Sequence, residues 1–232
     1  MQVCAQPPHN CSGMATHLAK ALLTWTSENG RMFPWRVEPR DPWRVLLSEI
    51  LLRQTSSGHV APLYELILEL VPNPAALRDM PAERLAGTMR PLGLYEQRAA
   101  GLKDLGEALI QRHNGRIPRS LRTLLALPHV GPYAAGAVLV FAYGKRAPLP
   151  DVNVSRLGSR YYGVPFPNTP AQRMLVAKRV LRACPKGREP EFYYGLLDLA
   201  ATACRSRPRC NTCPLSAKCK HVQSTRVRLP RE

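Results

Sequence analysis

The sequence predicts an all-α protein, and three observations favour that fold class. Apolar residues recur at the three- and four-residue spacing of amphipathic helices along nearly the whole chain. No segment alternates apolar and polar residues as a half-buried strand does. Helix-start signals also stand where helices are expected to begin, as in Asp41-Pro42, where Asp caps and Pro occupies the first helical position.

The predicted helices follow one another with short connections. The first covers about residues 15–28, and a bend with the sequence FPWRVEPRDPW follows it. The second starts after Asp41 and runs to about Gln54. Further helices are expected at about 58–70, 81–88, 95–113, 118–126, 133–143, 152–162, 170–183 and 189–203. Residues 1–13 and 221–232 are expected to be loose tails.

The charge of the chain predicts a polyanionic partner. Lys and Arg number 33 against 16 Asp and Glu in 232 residues, a formal net charge of +17. An excess of this size is typical of proteins that bind nucleic acid. The basic residues are spread over the whole chain rather than along one amphipathic stripe, which argues against binding to a membrane surface.

Four of the seven cysteines lie close together near the C-terminus, and they predict a metal site. No secretory signal and no apolar run of membrane-spanning length is visible, so we expect a cytoplasmic protein with reduced thiols. Cys204, Cys210, Cys213 and Cys219 have the spacing C-x5-C-x2-C-x5-C. Four thiolates so close together hold one tetrahedral metal ion or one cubane cluster. Zinc is the usual partner of paired CxxC motifs, whereas a single CxxC between wider gaps favours a [4Fe–4S] cluster.

Arginines in the same loop predict contact with phosphates. Arg205, Arg207 and Arg209 stand between the first two cysteines of the cluster. A loop that is fixed by metal is a rigid way to present positive charge to DNA phosphates. The remaining cysteines, Cys4, Cys11 and Cys184, are interpreted as incidental.

A tight turn in LPHVGPYAAGAVLVFAYGK predicts an anion site. His129, Val130 and Gly131 form the turn between two predicted helices. Backbone N–H groups at such a turn and at the following helix N-terminus favour a phosphate, which carries no sequence information. Taken alone, the turn is equally compatible with an ordinary connection between helices.

Three further side chains are candidates for chemistry. Asp151 precedes a helix and is either a plain N-cap or an ionised carboxylate that stabilises a cationic sugar and activates water. Glu49 lies in an apolar run and is either paired with Arg53 on the surface or buried as a general acid with a raised pKa. Tyr133 is either a core aromatic or part of the wall of a pocket for a flipped base.

Several segments, in order, resemble the helix-hairpin-helix DNA glycosylase superfamily, the group that contains endonuclease III and the adenine glycosylases. The resemblance extends from about Leu18 to Cys219. It covers FPWR (33–36), SEILLRQT (48–55), GLYEQRA (93–99), HNGRIP (113–118), LPHVGPYAAGAV (127–138), PDVNVSR (150–156) and the cysteine loop.

The resemblance implies a two-lobed monomer that binds double-stranded DNA containing a mismatched or damaged base. A six-helix lobe with the hairpin is expected at 35–145, and a [4Fe–4S] lobe at 14–34 with 146–232, in a bacterial or archaeal cytoplasm. The target base is flipped into the cleft between the lobes. Asp151 matches the essential aspartate of the family. Gln54 and Leu94 match positions whose side chains fill the space left by the base, and Arg53 beside them is placed to read the opposite strand.

Position 133 narrows the activity that the resemblance implies. Bifunctional members carry a Lys there whose amine attacks the sugar, and adenine glycosylases carry a Ser together with a C-terminal domain that checks the opposite base. This chain has Tyr133 and ends shortly after Cys219, so we expect no such domain. Together with Glu49, these features resemble the thymine glycosylases that remove T or U opposite G in base excision repair, without strong strand cleavage.

Alternative functions remain open at the sequence level. They are an adenine glycosylase without the checking domain, a glycosylase for another damaged base, a non-catalytic iron–sulfur module that binds DNA, and a zinc-binding regulator. The sequence also departs from the family pattern at three places. His129 replaces the usual glycine of the hairpin, the first cysteine gap is five residues instead of six, and Pro150 replaces the usual Val before Asp151.

Overall fold

The computed structural model describes residues 9–228, and the side chains of residues 13–225. In that part of the chain, helices alternate with turns and no strand forms, which confirms the all-α prediction. The α-helices are α1 His9–Asn29, α2 Pro42–Leu51, α3 Ser57–Leu70, α4 Ala76–Asp79, α5 Ala82–Met89, α6 Tyr95–His113, α7 Leu121–Leu125, α8 Pro132–Ala137, α9 Val152–Tyr162, α10 Pro170–Ala183, α11 Glu189–Thr202 and α12 Lys220–Arg228. None of the described helices is long and apolar enough to cross a membrane.

The chain divides into two compact units, Met32–Ala147 and Met1–Arg31 with Pro148–Glu232. In the first of these, α2 packs against α3, α6 and α8, and α6 packs against α4 and α5. Gly106 of α6 faces Leu77, where a Cβ would come within 2.8 Å of the leucine side chain. Close helix packing therefore depends on the missing side chain at this crossing.

The start of α2 follows the predicted capping, but its end does not. The Asp41 side chain accepts a hydrogen bond from the Arg44 backbone N–H at 2.9 Å, and Pro42 occupies the first helical position. The helix ends at Leu51, three residues before the predicted end at Gln54. The cause is a buried arginine from α6, which is described below.

Two other helices of this unit differ from the predicted ranges. The helix expected at about 118–126 is limited to Leu121–Leu125, because the Ser120 side chain caps it by accepting from the Thr123 N–H. The helix expected at about 133–143 becomes a π-helix at Val138–Ala142, directly after α8. Apolar spacing encodes neither the cap at Ser120 nor the change from α-helix to π-helix.

In the unit Met1–Arg31 with Pro148–Glu232, α11 packs against α1 and α9, and α9 packs against α10 and α12. Arg31, two residues after α1, donates from its backbone N–H and from Nε to the buried Asp198 of α11, at 2.9 and 2.8 Å. A buried carboxylate that accepts two hydrogen bonds from one arginine fixes the end of α1 on α11.

The two predicted tails differ from the structure. Helix α1 already begins at His9, inside the segment 1–13, and residues 1–8 lie outside the described part. The second tail was predicted to begin at 221, yet Lys220–Arg228 is helical. Val222 is buried and α12 packs against α9, so this polar helix has an apolar contact with the rest of its unit.

Candidate functional site

The hairpin turn lies between α7 and α8, as its sequence predicts. Val130 is buried and anchors the turn, whereas Gly131 is exposed and is the N-cap residue of α8. No side-chain cap hydrogen bond forms at this helix start, and the first N–H groups of an α-helix have no acceptor within the helix itself. The turn can therefore accept an anion through its backbone.

His129 takes the left-handed backbone conformation that the usual glycine of the hairpin would take easily. Its φ is +60°, a region that costs a non-glycine residue about 1–3 kcal/mol. Its imidazole lies against Gly101 of α6, and Nε2 lies 3.0 Å from Asp104 Oδ2. These contacts with α6 offset the backbone strain, so the hairpin keeps its turn despite the substitution.

Gln54 and Leu94 occupy two exposed turns, and both have left-handed backbones. Gln54 has φ +54° and Leu94 has φ +51°, and Leu94 is 49% exposed. Arg53, beside Gln54, is exposed as well. An exposed leucine in a left-handed conformation is unfavourable in both respects, which is typical of residues kept for function.

The structure adds Arg98, to which the sequence analysis assigned no role. It belongs to α6, is 6% exposed, and donates hydrogen bonds to Arg53 O, just before Gln54, and to Gly93 O, just before Leu94. A signal was available in the sequence, because Arg98 stands four residues before Leu102 on the apolar stripe of a predicted helix. A charged residue on such a stripe indicates a buried hydrogen-bonding task.

Glu49 and Tyr133 lie on helices that pack against each other, α2 and α8. Glu49 is 8% exposed, so the alternative of an exposed Glu49 on the surface of α2 is wrong. Tyr133 is half-buried at the second position of α8, just after Gly131. A buried carboxyl and a half-buried phenol on two packed helices are suited to contacting a polar, planar guest.

Asp151 is the N-cap residue of α9, as the simpler interpretation proposed. Its Oδ1 accepts from the Val154 N–H at 2.7 Å, and its Oδ2 accepts from Asn153 Nδ2 at 3.0 Å. Burial raises the pKa of Asp151, against the lowering effects of these hydrogen bonds and of the Arg156 charge. The expectation that the helix N-terminus simply keeps this carboxylate ionised is therefore incomplete, because desolvation opposes it.

A chain of hydrogen bonds leads from Asp151 to the cysteine loop. Asn153 Oδ1 accepts from Arg156 Nη2 at 2.9 Å, and Arg156 also donates to Cys204 O at 2.8 Å and to Ala200 O at 3.0 Å. Asn153 itself donates to Asp151. Sequence reasoning assigned no role to Asn153 or Arg156, although both stand in the segment PDVNVSR. Arg156 thus contacts Cys204 directly and Asp151 through Asn153.

The four clustered cysteines line one cavity, together with apolar side chains of α9 and α12. Burial first, and then the neighbouring Cys204, Cys219 and Cys210, raise the pKa of Cys213 to about 11. Arg160 of α9 holds the same loop, donating to Ser206 O at 2.9 Å and lying 3.5 Å from Cys204 Sγ. The loop thus gathers four thiols that cannot all ionise without a compensating cation.

The geometry of these thiols bears on which metal fits. Among the described residues, no three Cys, His, Asp or Glu side chains converge on the position of one metal ion. A cubane cluster, in which each cysteine binds a different iron, needs a wider set of sulfurs around a cavity. Arg205, Arg207 and Arg209 are exposed on this loop, as the prediction requires for contact with phosphates.

Comparison with known proteins gives a family match over more than half of the chain. Residues 47–183 match the family described as HhH-GPD superfamily base excision DNA repair protein. A thymine/uracil-DNA glycosylase of Methanothermobacter thermautotrophicus is 34% identical, over 87% of this chain and 91% of that protein. A thymine-DNA glycosylase of Aeropyrum pernix is 38% identical, over 89% and 95%.

A solved structure and a more distant relative extend the comparison. The structure of a thermostable thymine-DNA glycosylase aligns with a TM-score of 0.86 and 32% identity, over 92% of this chain and 98% of that one. An adenine DNA glycosylase of Buchnera aphidicola subsp. Baizongia pistaciae is 32% identical, over 90% of this chain but 59% of that protein. The fold and the order of its elements are therefore shared with solved DNA glycosylases.

Proposed function

Because the chain belongs to the HhH-GPD superfamily of base excision DNA repair proteins, we propose that it is a DNA glycosylase that removes thymine or uracil opposite guanine from double-stranded DNA. It hydrolyses the N-glycosidic bond and leaves an abasic site. The observation that carries this proposal is the match to a thymine/uracil-DNA glycosylase and a thymine-DNA glycosylase over 91% and 95% of their own lengths, respectively.

Binding is carried by phosphate contacts, and extrusion of the base follows. The net charge of +17, the backbone N–H groups at Gly131 and the arginines of the cysteine loop supply contacts that carry no sequence information. A mispaired base costs less to extrude than a paired one, which gives part of the selectivity. Gln54 and Leu94 fill the space that the base leaves, and Arg53 contacts the opposite strand.

Three side chains act on the extruded nucleotide. Tyr133 and Glu49 contact the base, and Glu49 donates a hydrogen bond to it or protonates it as the C1′–N bond breaks. Asp151, ionised, stabilises the positive charge that develops on the deoxyribose and orients the water that adds to C1′. The base leaves with a proton, and the water supplies the hydroxyl of the abasic site.

Tyr133 makes the reaction monofunctional. Strand cleavage through a Schiff base needs an amine at the sugar, and a phenol supplies none. The variant Tyr133→Lys places an amine at this position. We expect it to form a covalent adduct with DNA that borohydride traps, which the parent does not form. If Tyr133→Lys gives no adduct while it still releases base, Tyr133 does not stand beside the sugar.

We propose that Cys204, Cys210, Cys213 and Cys219 hold a [4Fe–4S] cluster. The support is the single cavity that they line and the raised pKa of Cys213, since four buried thiolates need compensating positive charge. When bound, the cluster supplies rigid cross-linking of the arginine-bearing loop and no chemistry on the base. Iron and sulfide analysis together with absorbance at about 400 nm tests whether the cluster is present. Zinc without iron in the purified protein would contradict the proposal.

The deciding experiment is a panel of duplexes that carry T·G, U·G, A·G and A·8-oxoguanine pairs, incubated with enzyme and scored with and without alkali. We expect strand breaks at T·G and U·G that appear only after alkali. Release of adenine instead would identify an adenine glycosylase. Asp151→Asn serves as the control for catalysis, because it should bind the same duplexes and release no base; release at the parental rate would remove Asp151 from the mechanism.

A further inference from the structure

The turns that carry Gln54 and Leu94 are joined to each other within one unit of the molecule. They lie 40 residues apart in the chain, at the end of α2 and at the start of α6. Each turn holds a non-glycine residue with a positive φ, at +54° and +51°. Neither backbone would keep this conformation by itself, so an external contact must hold it.

That contact is the side chain of Arg98. Its guanidinium reaches the turn before Leu94 through Nε, which donates to Gly93 O at 2.9 Å. It reaches the turn around Gln54 through both Nη atoms. These donate to Ile50 O at 2.9 Å, Leu51 O at 3.1 Å, Arg53 O at 2.5 Å and Thr55 Oγ1 at 2.5 Å. One planar, five-donor group thus satisfies oxygens of both turns at once.

Thr55 adds a second bridge between the turns. Its hydroxyl accepts from Arg98 and donates to Leu92 O at 3.0 Å, two residues before Leu94. Both turns are therefore tied to each other by a guanidinium and by a hydroxyl. The end of α2 at Leu51 follows from the same contact, because Arg98 occupies the carbonyls that a further helical turn would use.

The environment of Arg98 is costly for a charged group. It is 6% exposed, and within residues 9–228 its hydrogen-bond partners are carbonyl and hydroxyl oxygens rather than a carboxylate. Burial and the nearby charge of Arg53 lower the pKa of Arg98. An apolar side chain would fill this position at less cost if packing were its only task. The position is therefore kept for the geometry that the guanidinium imposes.

We propose that Arg98 is a positioning residue for base extrusion, holding the Gln54 and Leu94 turns in one fixed arrangement so that both side chains enter the duplex together. The inference rests on the proposed function and on the assignment of Gln54 and Leu94 as inserting side chains. Without Arg98 the two turns relax separately, and the extruded state of the DNA loses stabilisation. The chemistry at Asp151 does not involve Arg98.

The effect of losing Arg98 must then depend on what extrusion costs in a given duplex. A uracil paired with guanine has to leave its partner and its stack, and the enzyme has to fill the space. A uracil opposite an abasic analogue has no partner base to leave. Two duplexes that differ only in what lies opposite the uracil therefore distinguish a defect in base extrusion from a loss of activity on every substrate.

The test compares single-turnover excision by Arg98→Met on two duplexes, one with U·G and one with uracil opposite a tetrahydrofuran site. We expect a loss of about 10-fold or more on U·G and of less than about 3-fold on the second duplex. Lys103→Met is the matched control. Lys103 is on the same helix and caps α4 in a similar way, donating to Leu77 O at 2.7 Å, Arg78 O at 3.0 Å and Met80 O at 2.7 Å. Its loss should change the two rates equally.

The outcomes are distinct. Equal losses on both duplexes for Arg98→Met would overturn the inference and leave Arg98 a purely structural residue. If Arg98→Met fails to fold, Thr55→Val removes the hydroxyl bridge and keeps the guanidinium, and it should show the same dependence on the opposite position with a smaller loss. An unmodified enzyme that releases uracil from neither duplex would instead overturn the proposed function, and this inference with it.

Discussion

At the scale of single residues, Asp151 combines a structural task with a chemical one. It caps α9 through Val154 and is held by Asn153 on its other oxygen. Burial raises its pKa, and these hydrogen bonds limit the rise. The carboxylate form that the reaction needs is thus maintained by a few short contacts against the cost of desolvation.

The pH dependence of excision should report this balance. Because the pKa of Asp151 is raised above 3.8, activity is present above that raised pKa and is lost as the pH falls through it. Asn153→Ala removes a hydrogen bond that favours the charged form of Asp151, so the acidic limb should move to higher pH. Excision rates of the parent and of Asn153→Ala, measured under single turnover from about pH 4 upward, check this shift. An unchanged acidic limb would show that another group controls it.

His129 and Glu49 show where residue-level prediction ends. Local sequence was sufficient to place Asp151 at a helix start and His129 in a turn. It could not show that His129 packs on Gly101, because that contact depends on the tertiary position of α6. For Glu49 the sequence left a surface pair and a buried acid open, and only burial distinguished them.

At the scale of elements, helices whose ends are fixed by neighbouring residues were predicted well. The predicted ranges 152–162 and 170–183 match α9 and α10 as observed. Helix α10 begins with a capping box formed by Thr169 and Gln172, and Gly163, whose φ is +68°, caps the C-terminal end of α9. These signals lie within four residues of the helix ends, so the sequence contains them directly.

Ends that depend on distant residues were missed. Helix α2 stops because Arg98 binds Ile50 O, a contact across 48 residues of sequence. Residues 221–232 were expected to be a loose tail, yet α12 packs against α9 and its Val222 is buried. Both misses have the same physical cause, since tertiary contacts override local preference.

The crossing of α1 and α11 makes a prediction at this scale. A Cβ on Gly195 would lie 1.8 Å from Thr26 Oγ1, and that hydroxyl is itself bonded to Leu22 O at 2.7 Å. Gly195→Ala should therefore lower the free energy of unfolding by about 1–3 kcal/mol, as overpacking does. Urea denaturation checks it.

Gly87 of α5 is the matched control for that substitution. No atom lies within 4 Å of the position where its Cβ would be. Gly87→Ala should therefore raise the free energy of unfolding by about 0.5–1 kcal/mol, because alanine favours the helix. A Gly195→Ala variant as stable as the parent would show that α1 and α11 do not approach so closely.

At the scale of the whole molecule, the net charge of +17 contributes to the affinity of the enzyme for DNA. Each phosphate that a basic residue neutralises releases counterions, so affinity should fall steeply with salt. The exposed Arg205, Arg207 and Arg209 contribute to this effect if the cysteine loop contacts DNA.

Replacing these three arginines with glutamine should reduce the slope of log affinity against log salt by up to about 2.7, at about 0.9 per phosphate contact. Fluorescence anisotropy with a labelled duplex between 50 and 200 mM salt, the range over which such contacts lose most affinity, measures the slope. A second triple variant, Lys178→Gln, Arg182→Gln and Lys186→Gln, removes the same charge from exposed positions in α10 and the turn after it. Equal slopes for the two variants would mean that the salt dependence of binding arises from net charge and not from phosphate contacts of the cysteine loop.

The joining of the Gln54 and Leu94 turns by Arg98 also constrains how this protein can change. Two positions that share one anchor cannot be varied independently, whether by natural drift or by an engineer who seeks a new preference for the opposite base. A transplant of either turn into a related scaffold has to bring the arginine and the threonine with it. Libraries that randomise residues 54 and 94 should therefore hold 55 and 98 constant, so that the sampled variants differ in what they insert and not in whether the turns are formed.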